Sequence, residues 1–184
     1  VNSVTVDEFR TSVFLQCTLC SLVLLGSAGG SWYDHSGAAA DYLCLPPDPE
    51  WPQTTVVPDD YAARLYGAEY ESHNSHSPFW SHSRDEDVPC AVCRSSFAST
   101  LMIPARTTCY TGWTKAYGGY LAAGGYPYKG ASEYACVDDH PQPTGAPHSN
   151  DNGRLFFGVR AFCGSLQCPP YQENKYVACV VCLK

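Results

Sequence analysis

Charged residues are scarce in this chain. Asp, Glu, Lys and Arg make up 16% of its 184 residues, against about 25% in an ordinary soluble domain. Positive charge is the scarcer sign, with 11 Lys and Arg against 18 Asp and Glu, a formal net charge of -7 and no basic cluster. A nucleic-acid binder needs a basic stripe to displace counterions, so that class is excluded. Long apolar runs are also missing. The segment Val13 to Leu25 falls short of the roughly 20 residues that span a bilayer. No stretch keeps the i, i+3, i+4 apolar pattern over three turns, which excludes long amphipathic helices. Asn-x-Ser/Thr sequons are absent, as are a nucleophile elbow, a zincin motif, a P-loop and a dinucleotide fingerprint.

Present instead are 11 Cys, 15 Gly, 14 Pro and 13 Tyr. So many cysteines point to an oxidising, extracellular compartment, and the odd count leaves one thiol free, capped or paired with another chain. They also recur in a fixed order. Gly29-Gly30, Tyr42-Leu-Cys44 and Cys90-Ala-Val-Cys93 are followed by Gly124-Gly125, Tyr134-Ala-Cys136 and Cys179-Val-Val-Cys182. A period of about 90 residues suits two fused, pseudo-symmetric half-domains rather than a solenoid. The halves are residues 1–97 and 98–184, which are expected to pack as one unit.

Strand-like runs bounded by Gly, Pro, Asn and Asp dominate: Ser21 to Leu25, Asp41 to Leu45, Ala91 to Arg94, Leu101 to Pro104, Leu155 to Ala161 and Tyr176 to Cys182. The best helix candidate is short, Asp59 to Tyr66. The expected fold is therefore all-β, disulfide-rich and long-looped. Val13 to Leu25, with Arg10 before it and Gly26-Ser-Ala28 after it, has the outline of a secretory leader. It is expected instead to be a buried strand of the mature protein.

Cys90, Cys93, Cys179 and Cys182 could form a tetrathiolate zinc site. The compartment favours disulfides for these and for Cys44, Cys109 and Cys136, with pairing open. Cys163 and Cys168 are near enough in sequence to bridge each other, and Cys17 or Cys20 is the candidate for the odd thiol. His73 and His76 share one polar loop with His82 and are weak metal candidates.

The aromatic residues carry the binding expectation. A sugar ring has an apolar C–H face and a hydroxyl rim, so its site needs an aromatic plate beside polar donors and acceptors. Trp32, Tyr33, Asp34 and His35 follow Gly29-Gly30; Tyr126, Tyr128 and Lys129 follow Gly124-Gly125. Both are expected to be glycine turns that use φ > 0 and close approach, giving two comparable sites. Trp51, Tyr66, Glu69, Trp113 and Asp139 complete the candidate set. Glu69 and Glu71 flank Tyr70, and Asp138-Asp139-His140 is a second acidic group. Without a nucleophile motif, neither is expected to be catalytic.

Several ordered motifs carry a resemblance. Gly26-Ser-Ala-Gly-Gly-Ser-Trp-Tyr33, Ala39-Ala-Asp-Tyr-Leu-Cys-Leu-Pro-Pro-Asp-Pro-Glu-Trp51, Leu65-Tyr-Gly-Ala-Glu-Tyr70, Val88-Pro-Cys-Ala-Val-Cys93, Leu101-Met-Ile-Pro-Ala-Arg106, Tyr134-Ala-Cys-Val-Asp138, Cys168-Pro-Pro-Tyr171 and Ala178-Cys-Val-Val-Cys182 appear in that order. Together they resemble the C-terminal domain of sponge short-chain (spongin-type) collagens and related invertebrate secreted proteins. No Gly-X-Y tract is present, so the chain is not itself collagen. Some sponge lectins are similar to that domain, and the similarity implies a secreted, non-enzymatic lectin. Its partners would be glycans or glycoproteins, and it would work as a homo-oligomer. No cofactor is expected, calcium being the ion its acids would suit. A matrix module acting by protein–protein assembly is the alternative, and a small enzyme or pigment-binding protein with an aromatic pocket is the third.

Overall fold

Short apolar runs separated by turn residues leave the backbone one efficient way to satisfy its hydrogen bonds, which is to pair strand with strand. The computed structural model describes residues 20–52, 62–71, 78–79, 84–141 and 150–184. It contains β1 (Cys20–Gly30), β2 (Leu43–Leu45), β3 (Tyr66–Tyr70), β4 (Glu86–Asp87) and β5 (Pro89–Ser95). These are followed by β6 (Thr100–Pro104), β7 (Thr114–Ala123), β8 (Ala135–Asp138), β9 (Arg154–Gly158) and β10 (Ala178–Leu183). The described residues form no helix. The helix expected at Asp59 to Tyr66 is not formed over its described part. Residues 62–65 are irregular, and Tyr66 opens β3 because it pairs with Gly30 of β1. Its first three residues, 59–61, lie outside the described set.

The strands join in the order β2-β1-β3-β9-β7-β10-β6, with β4 added to β3, β5 to β1 and β8 to β7. Within the first segment, β1 runs antiparallel to β5, then to β2 through Ser27 to Gly29, then to β3 at Gly29 and Gly30. In the second, β7 runs antiparallel to β10, then to β8 through Gly119 to Ala122, then to β9 at Ala122 and Ala123. The segments join where β3 lies parallel to β9, with Ala68, Glu69 and Tyr70 opposite Arg154, Leu155 and Phe156. One core crosses that join: Ala28, Tyr42, Ala68, Tyr70, Val88 and Cys90 pack with Ala122, Val137 and Phe156.

β10 is buried along most of its length, which explains its unbroken apolar sequence. β7 carries two glycines and a lysine and has no strand signature. Gly119 is needed there because a Cβ would stand 1.9 Å from the Val137 carbonyl oxygen on β8. The segment Val13 to Leu25 differs from expectation in burial. Its described part is strand, but Leu22 is 40% and Val23 66% exposed; residues 13–19 lie outside the described set. Gly29-Gly30 is also not a turn. It ends β1, where a Cβ on Gly29 would meet the Tyr66 carbonyl oxygen at 2.6 Å. None of Gly29, Gly30, Gly124 and Gly125 has positive φ, so close approach alone accounts for them.

Four disulfides staple the described residues. Cys44–Cys90 ties β2 to β5, Cys136–Cys179 ties β8 to β10, and Cys109–Cys182 ties the β6–β7 connection to β10. Cys163–Cys168 closes a local loop, as the spacing suggested. Cys90, Cys179 and Cys182 are thus spent in three different bridges, and the tetrathiolate zinc site does not form. Cys17, Cys20 and Cys93 fall outside these four pairs.

Candidate functional site

The loop after β1 turns tightly. The His35 N–H donates to the Trp32 carbonyl, the Ala38 N–H to that of His35, and the Ala39 N–H to Ser31 Oγ. These bonds lift Trp32 and Tyr33 off the sheet side by side, with ring centroids 5.1 Å apart. Tyr66, at the start of β3, comes to 5.0 Å from Trp32, and His35 to 6.1 Å. The loop after β7 then lays Tyr128 edge-on against Tyr33 at 4.6 Å, and Phe157 of β9 backs Tyr128 at 6.0 Å. Trp32, Tyr33, Tyr66, Tyr128 and Phe157 are all half-buried, and His35 is exposed. They form one continuous aromatic surface.

Polar contacts lock the two loops together. Lys129 N–H donates to Asp34 Oδ1 at 3.2 Å across 95 residues of sequence, and Lys129 Nζ stands 4.0 Å from Asp34 Oδ2. The Gly130 N–H donates to the Tyr33 carbonyl at 3.0 Å. A Cβ on Gly130 would lie 2.6 Å from that same oxygen, so only glycine lets the loops close. Beneath them, Arg154 is 1% exposed. One guanidinium nitrogen donates to the Ala40 carbonyl at 2.6 Å and the Ala131 carbonyl at 2.7 Å, one from each loop. Its Cζ lies over the Tyr42 ring, 4.9 Å from the centroid. Burial of Tyr128, with Tyr33 and the carboxylates of Glu71 and Asp34 nearby, raises its phenol above its ordinary pKa.

Of the sequence candidates, Trp32, Tyr33, Asp34, His35, Tyr66 and Tyr128 are therefore brought together. The candidates expected at two places, after Gly29-Gly30 and after Gly124-Gly125, lie together on a single surface. The remaining candidates lie elsewhere. Trp51 is 82% and Tyr126 100% exposed, and neither shares a described ring contact with the cluster. Trp113 packs against Ile103, Val180 and Cys182, with Lys184 Nζ above its ring at 5.9 Å. Glu69 is buried on β3, where its Oε1 accepts the Asp151 N–H at 2.9 Å. Burial, together with the charges of Asp87 and Asp151, raises its pKa against the opposing pull of backbone bonds from Asp151 and Asn152. Asp87, its partner across β4, is raised by burial and by Asp151.

Asp138, Asp139 and His140 hold ligand-type atoms within 4.8 Å of one another. Their bonds are already directed inward, since His140 N–H donates to Asp138 Oδ1 and its Nδ1 lies 2.8 Å from Asp139 Oδ1. Burial opposes ionisation of Asp139, but hydrogen bonds from His140 and Asp138 outweigh it and lower the pKa. His73, His76 and His82 lie outside the described residues. Phe157 and Arg154 were missed in sequence. Phe157 sat in a plain strand signature, and an isolated arginine before an apolar run carries no sign that it will be buried. Compared with known family models, curated proteins and solved structures, the chain finds no match.

Proposed function

We propose that this chain is a secreted, non-enzymatic carbohydrate-binding protein with one composite site, formed by the loops after β1 and β7. The observation that carries this reading is the half-exposed aromatic surface Trp32–Tyr33–Tyr66–Tyr128, with Asp34 and Lys129 at its edge. Such a surface offers a plate for the apolar face of a pyranose, while the adjoining carboxylate and ammonium re-bond hydroxyls that lose water. The resemblance to sponge collagen-type domains and lectins points the same way. Four disulfides suit an extracellular protein. The proposal includes an origin by internal duplication, supported by matching strand partners of β1 and β7. The bridges Cys44–Cys90 and Cys136–Cys179, with sequence separations of 46 and 43, support it too. With one site per chain, agglutination would require assembly into a homo-oligomer.

A glycan array is the direct test, followed by calorimetric titration of any sugar that binds. Trp32→Ala and Tyr128→Ala should each abolish the signal while leaving the fold intact by circular dichroism. A blank array together with no sugar-inhibited haemagglutination would sink the proposal.

A further inference from the structure

The four described disulfides differ in how well thiols can reach them. Cys90, Cys179 and Cys182 are 0% and Cys136 is 3% exposed, so three of the bridges have at least one end sealed in the core. Cys163–Cys168 has neither end sealed, with Cys163 exposed and Cys168 half-buried. Its cysteines are 5 residues apart in sequence, against 43, 46 and 73 for the others.

The loop it closes is the tip of a hairpin that prolongs β9 and β10. The stem is paired through its backbone, and Val159 and Val177 pack against the core beside Leu121 and Cys179. Val177 N–H donates to the Val159 carbonyl, Ala161 N–H to that of Lys175, and Asn174 N–H to that of Ala161, each at 2.9 Å. Arg160 and Tyr176 pair across it. At the tip, Gly164 takes φ 138° with no neighbour near its missing Cβ. The side chain of Glu173 accepts the Cys163 N–H at 2.6 Å, a bond that does not need the sulfur bridge.

We propose that Cys163–Cys168 is a thiol-exchange site, which an external dithiol can open while the other three described bridges stay oxidised. One thiolate of the dithiol attacks Sγ of Cys163, the more exposed end. The S–S bond breaks, Cys168 leaves as a thiolate, and a mixed disulfide remains on Cys163. The second thiol of the dithiol then attacks that mixed disulfide, releasing the Cys163 thiolate and closing the reductant into a cyclic disulfide. Two electrons pass from dithiol to bridge, and the dithiol's two protons end on Cys163 and Cys168. Exchange needs direct access to a sulfur, whereas a core-sealed bridge must wait for local or global opening.

Differential alkylation of the native protein tests this. Existing thiols are first blocked with one mass tag. Limiting dithiothreitol is then added, and new thiols are trapped with a second tag and mapped by peptide mass spectrometry. Cys163 and Cys168 should acquire the second tag at least about tenfold faster than any other cysteine, as access controls the rate. Near-ultraviolet circular dichroism should be unchanged at that stage. The proposal is overturned if Cys44–Cys90, Cys109–Cys182 or Cys136–Cys179 opens first or together with it. It is equally overturned if no bridge opens before the protein unfolds. The double variant Cys163→Ser/Cys168→Ser should fold and lose the early labelling. Should it fail to fold, wild-type labelling still decides the matter.

Discussion

The loop that leaves β1 and the loop that leaves β7 start from matching strand ends, each followed by a disulfide-bearing strand, β2 or β8. The first lifts Trp32 and Tyr33 into a half-buried aromatic surface and accepts the second through Asp34 and the Tyr33 carbonyl. The second behaves differently. Tyr126 points fully into solvent, while Tyr128 and Lys129 bend back to complete the first loop's site. Two loops that each follow a Gly-Gly pair thus act as host and guest. Both loops rest on Arg154, which the parallel join of β3 and β9 brings beneath them.

Breaking that join should have the largest effect. Arg154→Ala would orphan the Ala40 and Ala131 carbonyls and leave a cavity beside Tyr42. A loss of about 3–5 kcal/mol is expected for a buried, hydrogen-bonded charge site, measured by chemical denaturation. Arg154→Met, which keeps most of the volume, should recover part of it. Bridges come next and sharpen the contrast between regions. Removing Cys136–Cys179, with a separation of 43 residues, should cost about 4 kcal/mol on the chain-entropy estimate. Removing Cys163–Cys168, with a separation of 5, should cost about 2 kcal/mol on the same estimate. Equal losses on calorimetric unfolding would contradict this ordering.

Gly130→Ala tests the loop closure itself. The added methyl would press on the Tyr33 carbonyl from 2.6 Å, so the loops must part. Sugar binding should weaken by about tenfold or more, with a stability loss of about 1–3 kcal/mol typical of overpacking. Tyr126→Ala should change neither quantity.

The smallest expected effect is on pH dependence. Glu69 and Asp87 both have raised pKa values in the fold, mainly through burial. A carboxyl with a higher pKa in the folded than in the unfolded chain binds more protons when folded. Its stabilising contribution is full below the unfolded value and is lost as pH rises through the folded one. Thermal stability should therefore fall as pH climbs from the ordinary carboxylate range through the raised values of Glu69 and Asp87. Glu69→Gln should flatten that slope. An unchanged slope would place the effect on other acids.

Much of the secondary structure was legible because it is local. β10 was plain from its unbroken Ala-Cys-Val-Val-Cys-Leu sequence, and β9 from Leu155 to Gly158. β7 was not. Its Thr114-Lys-Ala-Tyr-Gly-Gly sequence lacks β-branched alternation, and its glycines answer to neighbouring backbones rather than to any local preference. β3 was hidden for a related reason: Tyr66 is held by Gly30 and Tyr70 by Phe156, both distant in sequence. The site followed the same division. Trp32, Tyr33, Asp34, His35, Tyr66 and Tyr128 could be picked out by residue type. Nothing in their spacing said that they would converge.

By itself, the sequence determined an all-β, disulfide-stapled chain, poor in basic charge and rich in aromatic residues. Those properties follow from composition and short-range pattern, which depend only on neighbours in the chain. Cys163–Cys168 apart, the tertiary structure alone decided which cysteines pair, which aromatics are buried or exposed, and that two loops make one surface. Each of these depends on contacts between residues far apart in sequence, such as Lys129 with Asp34 across 95 residues. Such a contact closes a long loop at an entropic cost that only non-local pairing offsets, so no local pattern encodes it.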